Sequence, residues 1–183
     1  MLNKRRCAWV EGQEDVYLEY HDNEWGTPVY DDEKLFEMLL LECFQAGLSW
    51  ITILKKRENF RAAFDNFDLE KVIKYDEEKV NDLMQDEGII RYKAKIEAAI
   101  NNAKCFKQIQ EEFGTFSDYI WGFTNHKVIK DTNQNYLTKS ELSDEITKDL
   151  KKRGMKFVGS VTIYSFLEAI GIIDNHTRDC YRY

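Results

Sequence analysis

The stretch EKLFEMLLLECFQAG at 33–47 is apolar on nearly every side when wound at 3.6 residues per turn. A helix of that kind cannot lie on a surface. It must be buried, and the rest of the chain must supply the layer that covers it. Asp31 or Asp32 is placed to cap it, and Gly47 ends it. Ser49 then opens a helix over WITILKKRENFRAAF at 50–64, and Asp68 and Asp76 open two short ones at 68–75 and 76–85. A tight turn, DEGII at 86–90, leads into a long helix from about Arg91 to Phe113, along which Ile96, Ile100, Ala103 and Phe106 keep three-to-four spacing. FSDYIWGF at 116–123 reads as a short helix and 124–137 as a polar loop. Ser143 caps a helix ending at Gly154, and a core helix from Ser160 to Ile170 is closed by Gly171. Alternating strand patterns are essentially absent, and there is one proline, Pro28. The expected fold is all-α, a single domain over 1–183, with room for two lobes and no linker or repeat.

Charged residues make up 32% of the chain, and no apolar run approaches the ~20 residues of a spanning helix, so a membrane protein is excluded. The start, MLNKRRCAWVEGQE, has no apolar segment behind its basic residues, which leads us to expect a cytoplasmic protein. In a reducing compartment Cys7, Cys43, Cys105 and Cys180 stay unpaired, and Cys43 and Cys105 read as small core residues. The net charge of −7 names no acidic partner. Local basic clusters do exist, at Lys55, Lys56, Arg57 and Arg61, at Arg91, Lys93 and Lys95, and at Lys151, Lys152, Arg153 and Lys156. Each reads equally well as a solvated helix face.

His176 and Cys180 stand four apart, so one helical turn would aim both at one point. Cys7 and His21 near the other end complete a Cys2His2 set, which suits tetrahedral zinc in a closed, structural site. The spacing alone leaves open that the four are unrelated residues near the ends. The attraction is that a metal joining both termini would hold segments that otherwise fray.

Five segments are more particular: YLEYHDNEWG at 17–26, LECFQAGLSWITILKKRENFRAAF at 41–64, DEGIIRYKAKIEAAI at 86–100, KKRGMKFVGSVTIYSF at 151–166 and DNHTRDC at 174–180. In this order, over nearly the whole chain, they resemble the 3-methyladenine DNA glycosylase I family. The resemblance implies a divergent helix-hairpin-helix glycosylase with zinc held by Cys7, His21, His176 and Cys180. It implies base-pocket residues at Trp9, Tyr17, Tyr20, Glu42 and Trp50. It places the hairpin over 83–96, with Gly88, Ile89, Ile90 and Arg91 on DNA, and the wedge that fills the vacated stack at Gly47 and Leu48. The implied partners are alkylated double-stranded DNA and the freed 3-methyladenine, with a monomer as the default.

Glu42 is the residue most in need of explanation, because a buried carboxylate without a partner is costly. Either a core Arg or Tyr pairs with it, or its partner is a ligand. A cationic methylated base with an exocyclic amine donor is a ligand of that kind. Trp9, Tyr17, Tyr20 and Trp50 offer stacking and cation–π faces. Trp25, beside Gly26, reads as core and is left outside the site. The catalytic aspartate of the wider superfamily has no counterpart, and no lysine has a Schiff-base context, so the expected enzyme is monofunctional. A module that binds alkylated DNA without chemistry, or a zinc hydrolase with an open metal position, would stand on the same residues.

Overall fold

The computed structural model describes residues 4–130 and 137–183; part of the expected polar loop at 124–137 lies outside them. The described helices are α1 (Asp15–Asn23), α2 (Asp32–Gln45), α3 (Trp50–Ala63), α4 (Leu69–Val72), α5 (Glu77–Gln85), α6 (Lys93–Phe113), α7 (Phe116–Gly122), α8 (Glu141–Lys152) and α9 (Ser160–Ala169). The all-helical expectation needs one correction: β1 (Ile129–Lys130) and β2 (Ile173–Asp174) form a two-residue parallel ladder. Strands that short leave no period for a sequence reading to find.

The apolar helix α2 lies at the centre, packed by α3, α6, α7 and α9, and every residue from Leu35 to Phe44 is buried. Its neighbours fill the space with rings. Phe36 meets Phe106 at 5.1 Å, Phe106 stacks on Phe116 at 4.0 Å, and Phe44 meets Phe60 at 4.8 Å. Asp31 caps α2 by accepting from the Lys34 amide at 2.9 Å. Asp32 does something else. Its carboxylate accepts from the Phe116 and Ser117 amides and the Gln110 side chain, so the start of α2 caps α7.

Two expected helix starts shift and one expected cap makes no capping bond. Ser140, not Ser143, caps α8; Ser143 is the third residue in, and the two form a reciprocal capping box. Ser49 sits at the start of α3, but its hydroxyl meets that of Thr52 and caps no amide. The long helix begins at Lys93, because Tyr92 is extended.

Gly171 ends the last helix at a φ of +72°, and a Cβ there would fall 2.3 Å from the Thr27 carbonyl carbon. We therefore expect Gly171→Ala to cost stability on two counts, left-handed strain and overpacking, together about 2–4 kcal/mol. Urea denaturation of the two proteins checks this; a difference below ~1 kcal/mol would mean the two segments separate easily.

Candidate functional site

Between α1, the end of α2, the start of α3 and α9 lies a cleft of about 310 Å³. It is small for a ligand site, near the lower end of the ~300–1,000 Å³ range. Its walls include Trp9, Tyr17, Tyr20, Glu42 and Trp50, the set expected from the sequence, brought together from four segments. Trp9 meets Tyr17 edge-on at 5.1 Å, and Tyr20 lies 5.5 Å from Trp50. Trp25, left outside the site on sequence grounds, also lines the cleft, packed 4.9 Å from Trp9. Its buried ring satisfies the core reading and the site reading at once.

The cleft is lined by polar groups that lack partners. Glu42 Oε2, Trp9 Nε1, Trp50 Nε1 and Asn175 Oδ1 are all buried, and none has a hydrogen bond among the described residues. Orphaned polar atoms in a native interior each demand a reason. Two donors and two acceptors in one concave site fit a flat, polar-edged ligand. Among the described residues no cation pairs with Glu42, which is 3% exposed, and burial drives its carboxyl well above the usual range. Arg57, the nearest sequence candidate for a partner, is bound to Glu24 by two hydrogen bonds of 2.7 and 2.8 Å.

A second carboxyl, Glu168 on α9, lines the same cleft and went unread in the sequence. Asn175 donates to its Oε1 at 2.7 Å. Burial pushes its pKa up to about 7, and its charge raises Glu42 in turn. No local pattern marks Glu168; only the approach of α9 to α2 makes it a cleft residue.

Against the Trp9–Trp25 wall stands a second constellation. Ligand atoms of Cys7, His21 and Cys180 lie within 4.8 Å of one another, and all three residues are buried. The His176 ring is 5.2 Å from that of His21, and its Nε2 is buried without a partner. The other nitrogen of each imidazole is engaged by a carboxylate, His21 Nδ1 with Asp22 at 2.9 Å and His176 Nδ1 with Asp174 at 2.7 Å. A carboxylate on one ring nitrogen is how metal-ligating histidines are oriented, and it leaves the Nε2 of each ring as the coordinating atom. The donor set, two thiols and two imidazoles, fits zinc. His176 and Cys180 stand on irregular chain after β2, not on the helix that their spacing implied, and Cys180 is the one of the two whose ligand atom falls within the 4.8 Å group.

At the other end of the cleft, α2 gives way to a turn in which Gly47 has a φ of +80° and Leu48 is 40% exposed. Leu48 is thus not a core leucine. The turn between α5 and α6 carries Gly88, Ile89, Ile90 and Arg91. Ile89 is buried, and the Gly88 amide already donates to Asp86, whereas the amides of Ile90 and Arg91 enter no such bond among the described residues. The basic clusters are corrected more heavily. In the first, Lys55 pairs with Glu14, Arg57 with Glu24, and Arg61 with Glu37 and Glu58. In the third, Arg153 pairs with Glu112 and Asp149. Lys95 of the second is buried. Spacing along a helix does not reveal which cations find carboxylates on other helices.

Comparison with known proteins returns one consistent result. Residues 9–183 match the family described as methyladenine glycosylase. A DNA-3-methyladenine glycosylase 1 of Escherichia coli is 49% identical over 178 residues, covering 96% of this chain and 95% of that protein. A DNA-3-methyladenine glycosylase of Haemophilus influenzae is 46% identical over 178 residues, 96% of each. A crystal structure of a tyrosine-to-phenylalanine variant of 3-methyladenine DNA glycosylase I, in complex with 3-methyladenine, superposes with a TM-score of 0.92 at 39% identity over 96% of both chains.

The Glu168 carboxyl has a testable consequence for stability. Its pKa is about 7 in the fold against 4.5 for the ordinary group. Below 4.5 both folded and unfolded chains hold the proton; between 4.5 and about 7 the folded chain alone holds it. Stability therefore falls as pH rises across that window. Glu168→Gln removes the titration, so the variant should gain on the parent protein as pH rises. Melting temperatures of both proteins from pH 4.5 to 8 check this, and parallel profiles would show that Glu168 is solvated.

Proposed function

The chain belongs to the methyladenine glycosylase family, and on that premise we propose that it removes 3-methyladenine from alkylated DNA by flipping the nucleotide into the aromatic cleft. The observation that carries the reading is the unpartnered Glu42 carboxyl in a wall of tryptophan and tyrosine. A base methylated at N3 is cationic and presents an exocyclic amine. Glu42 accepts from that amine, and the cation supports its ionised form in a place where burial alone would keep it protonated. Tyr17 and Tyr20, whose phenols burial also pushes up, stay neutral beside it. Together with Trp9 and Trp50 they offer ring faces to the base. Glu168 adds a second acidic group, so the cleft favours a positively charged ligand over a neutral one.

The chemistry then asks little of the protein. The bond between the sugar C1′ and the base N9 breaks with its electron pair moving to the base, which leaves neutral. Water adds to C1′ and loses a proton to solvent. No lysine lines the described cleft, so no amine is available for a Schiff base, and the reaction ends at an abasic site. Gly47 and Leu48 enter the stack in place of the flipped base, and the turn at Gly88 and Ile89 presents the free amides of Ile90 and Arg91 to phosphate. With Arg57, Arg61 and Arg153 internally paired, undamaged duplex should be held weakly. The protein acts as a cytoplasmic monomer; no described helix is long and apolar enough to cross a membrane.

Zinc on Cys7, His21, His176 and Cys180 is part of the same reading. Four protein ligands leave no position for water, so the ion would supply folding energy and no reaction step. The purified protein should carry one zinc per chain by elemental analysis. Cys180→Ala should lower the melting temperature and the metal content together, and metal-free protein of unchanged stability would exclude the site.

For Glu42, positive charge leaves the base as the bond breaks, so a carboxylate at the base edge favours the bound lesion at least as much as the transition state. Glu42→Gln should weaken binding of free 3-methyladenine and lower efficiency on methylated DNA, with a smaller fall in the saturating single-turnover rate. Glu42→Ala should bind worse still, by ~1–3 kcal/mol, since the amine loses its acceptor. Normal binding with a saturating rate reduced ~100-fold would instead mark a general base.

A further inference from the structure

Lys95 is a buried cation that the reading above does not use. It stands in the first turn of α6, directly after the hairpin, and is 7% exposed. No carboxylate faces it among the described residues; burial lowers its pKa, and the ring of Phe157 lies 5.9 Å from its Nζ. What holds it is backbone. Nζ donates to the Phe44 carbonyl at 2.7 Å and to the Ala46 carbonyl at 2.6 Å. These are carbonyls at the C-terminal end of α2, where a cation is favoured. The next two residues are Gly47 and Leu48.

The far side of that turn is fixed as well. The Gln45 side chain, which lines the cleft, donates to the Leu48 carbonyl at 2.9 Å, and the Leu48 amide donates back to the Gln45 carbonyl at 2.7 Å. The hairpin is stapled in the same way: Lys56 donates to the Glu87 and Gly88 carbonyls at 2.9 and 3.2 Å, and Asn59 to Gly88 at 3.3 Å. Hairpin, α6 and the 45–48 turn are thus joined by side chains that grip main-chain carbonyls. Among these, Lys95 alone spans from the hairpin helix to the turn.

We propose that Lys95 is a positioning residue for the wedge: it ties the 45–48 turn to the hairpin helix, so that grip on the DNA backbone at the hairpin sets how far Leu48 enters the stack. The proposal rests on the wedge reading of Gly47 and Leu48. A lysine suits the task because its Nζ has three donors on a flexible stem and can serve two carbonyls that diverge. Without it the buried Phe44 carbonyl loses its donor and the turn loses its tie.

The test compares Lys95→Met, Lys95→Gln and Leu48→Ala on one methylated oligonucleotide, presented as a duplex and as a single strand, under single-turnover conditions. Only the duplex has a stack to wedge. Lys95→Met should lose about tenfold on the duplex while staying within about twofold on the single strand, with free 3-methyladenine bound normally; a tenfold loss is the size of one neutral hydrogen bond, ~1.4 kcal/mol. Lys95→Gln, which keeps a donor, should fall between the parent protein and Lys95→Met, and it carries the test if Lys95→Met does not fold. Equal losses on both substrates would show a merely structural lysine and overturn the proposal. So would a duplex-specific loss in Leu48→Ala with none in either Lys95 variant, which leaves the wedge reading standing. If Leu48→Ala itself shows no duplex-specific loss, the wedge reading fails and the proposal falls with it.

Discussion

Burial of α2 on every side means that any polar group it carries must find its partner inside the protein, and at Glu42 the protein supplies none. The surrounding structure follows from that one choice. Keeping an unpartnered carboxyl dry requires a wall of large apolar rings, and these come from the N-terminal segment, α1 and the start of α3. Keeping it accessible requires that the wall stay open on one side. The cleft is what remains when both requirements hold, and its volume of about 310 Å³ suits a small ligand.

The thiol–imidazole cluster bears on the same cleft through shared rings. Trp25 packs 4.9 Å from Trp9 and 4.7 Å from His176, so one side chain belongs to both the cleft wall and the cluster. Gly26 beside it admits no side chain, because a Cβ there would lie 2.7 Å from the His176 ring. The chain ends are further tied by the Tyr181 amide donating to the Arg5 carbonyl at 2.9 Å. Trp9 sits two residues after Cys7, and Asn175 one residue before His176. The position of two cleft residues is thus fixed by how the termini are held, which links the fold of the ends to recognition at the centre.

Arg57, Arg61 and Arg153 of the basic clusters are drawn onto the protein's own carboxylates. Those cations join helices to one another. On the proposed function, recognition is left to the cleft, to the amides of Ile90 and Arg91 and to the exposed Leu48, features that act only at short range.

The sequence by itself determined the helical architecture, the burial of α2, the aromatic set around Glu42 and the thiols and imidazole of Cys7, His21 and Cys180 that the fold gathers. Each is written either in a period of three to four residues or in motifs long enough to be particular. It also placed Leu48 at the end of a buried helix, where periodicity alone reads a core residue; exposure at the turn is a tertiary fact. Glu168, the double role of Trp25, the burial of Lys95 and the pairing of the basic clusters were decided only by the tertiary structure. Each of these involves partners on distant segments of the chain, and the partners Phe44 and Ala46 of Lys95 are main-chain carbonyls 51 and 49 positions away. A carbonyl is the same at every position, so no residue type records that it will be gripped. Ionisation has the same origin: whether a glutamate holds its proton depends on the water it loses when helices close around it, and that is fixed by packing in three dimensions.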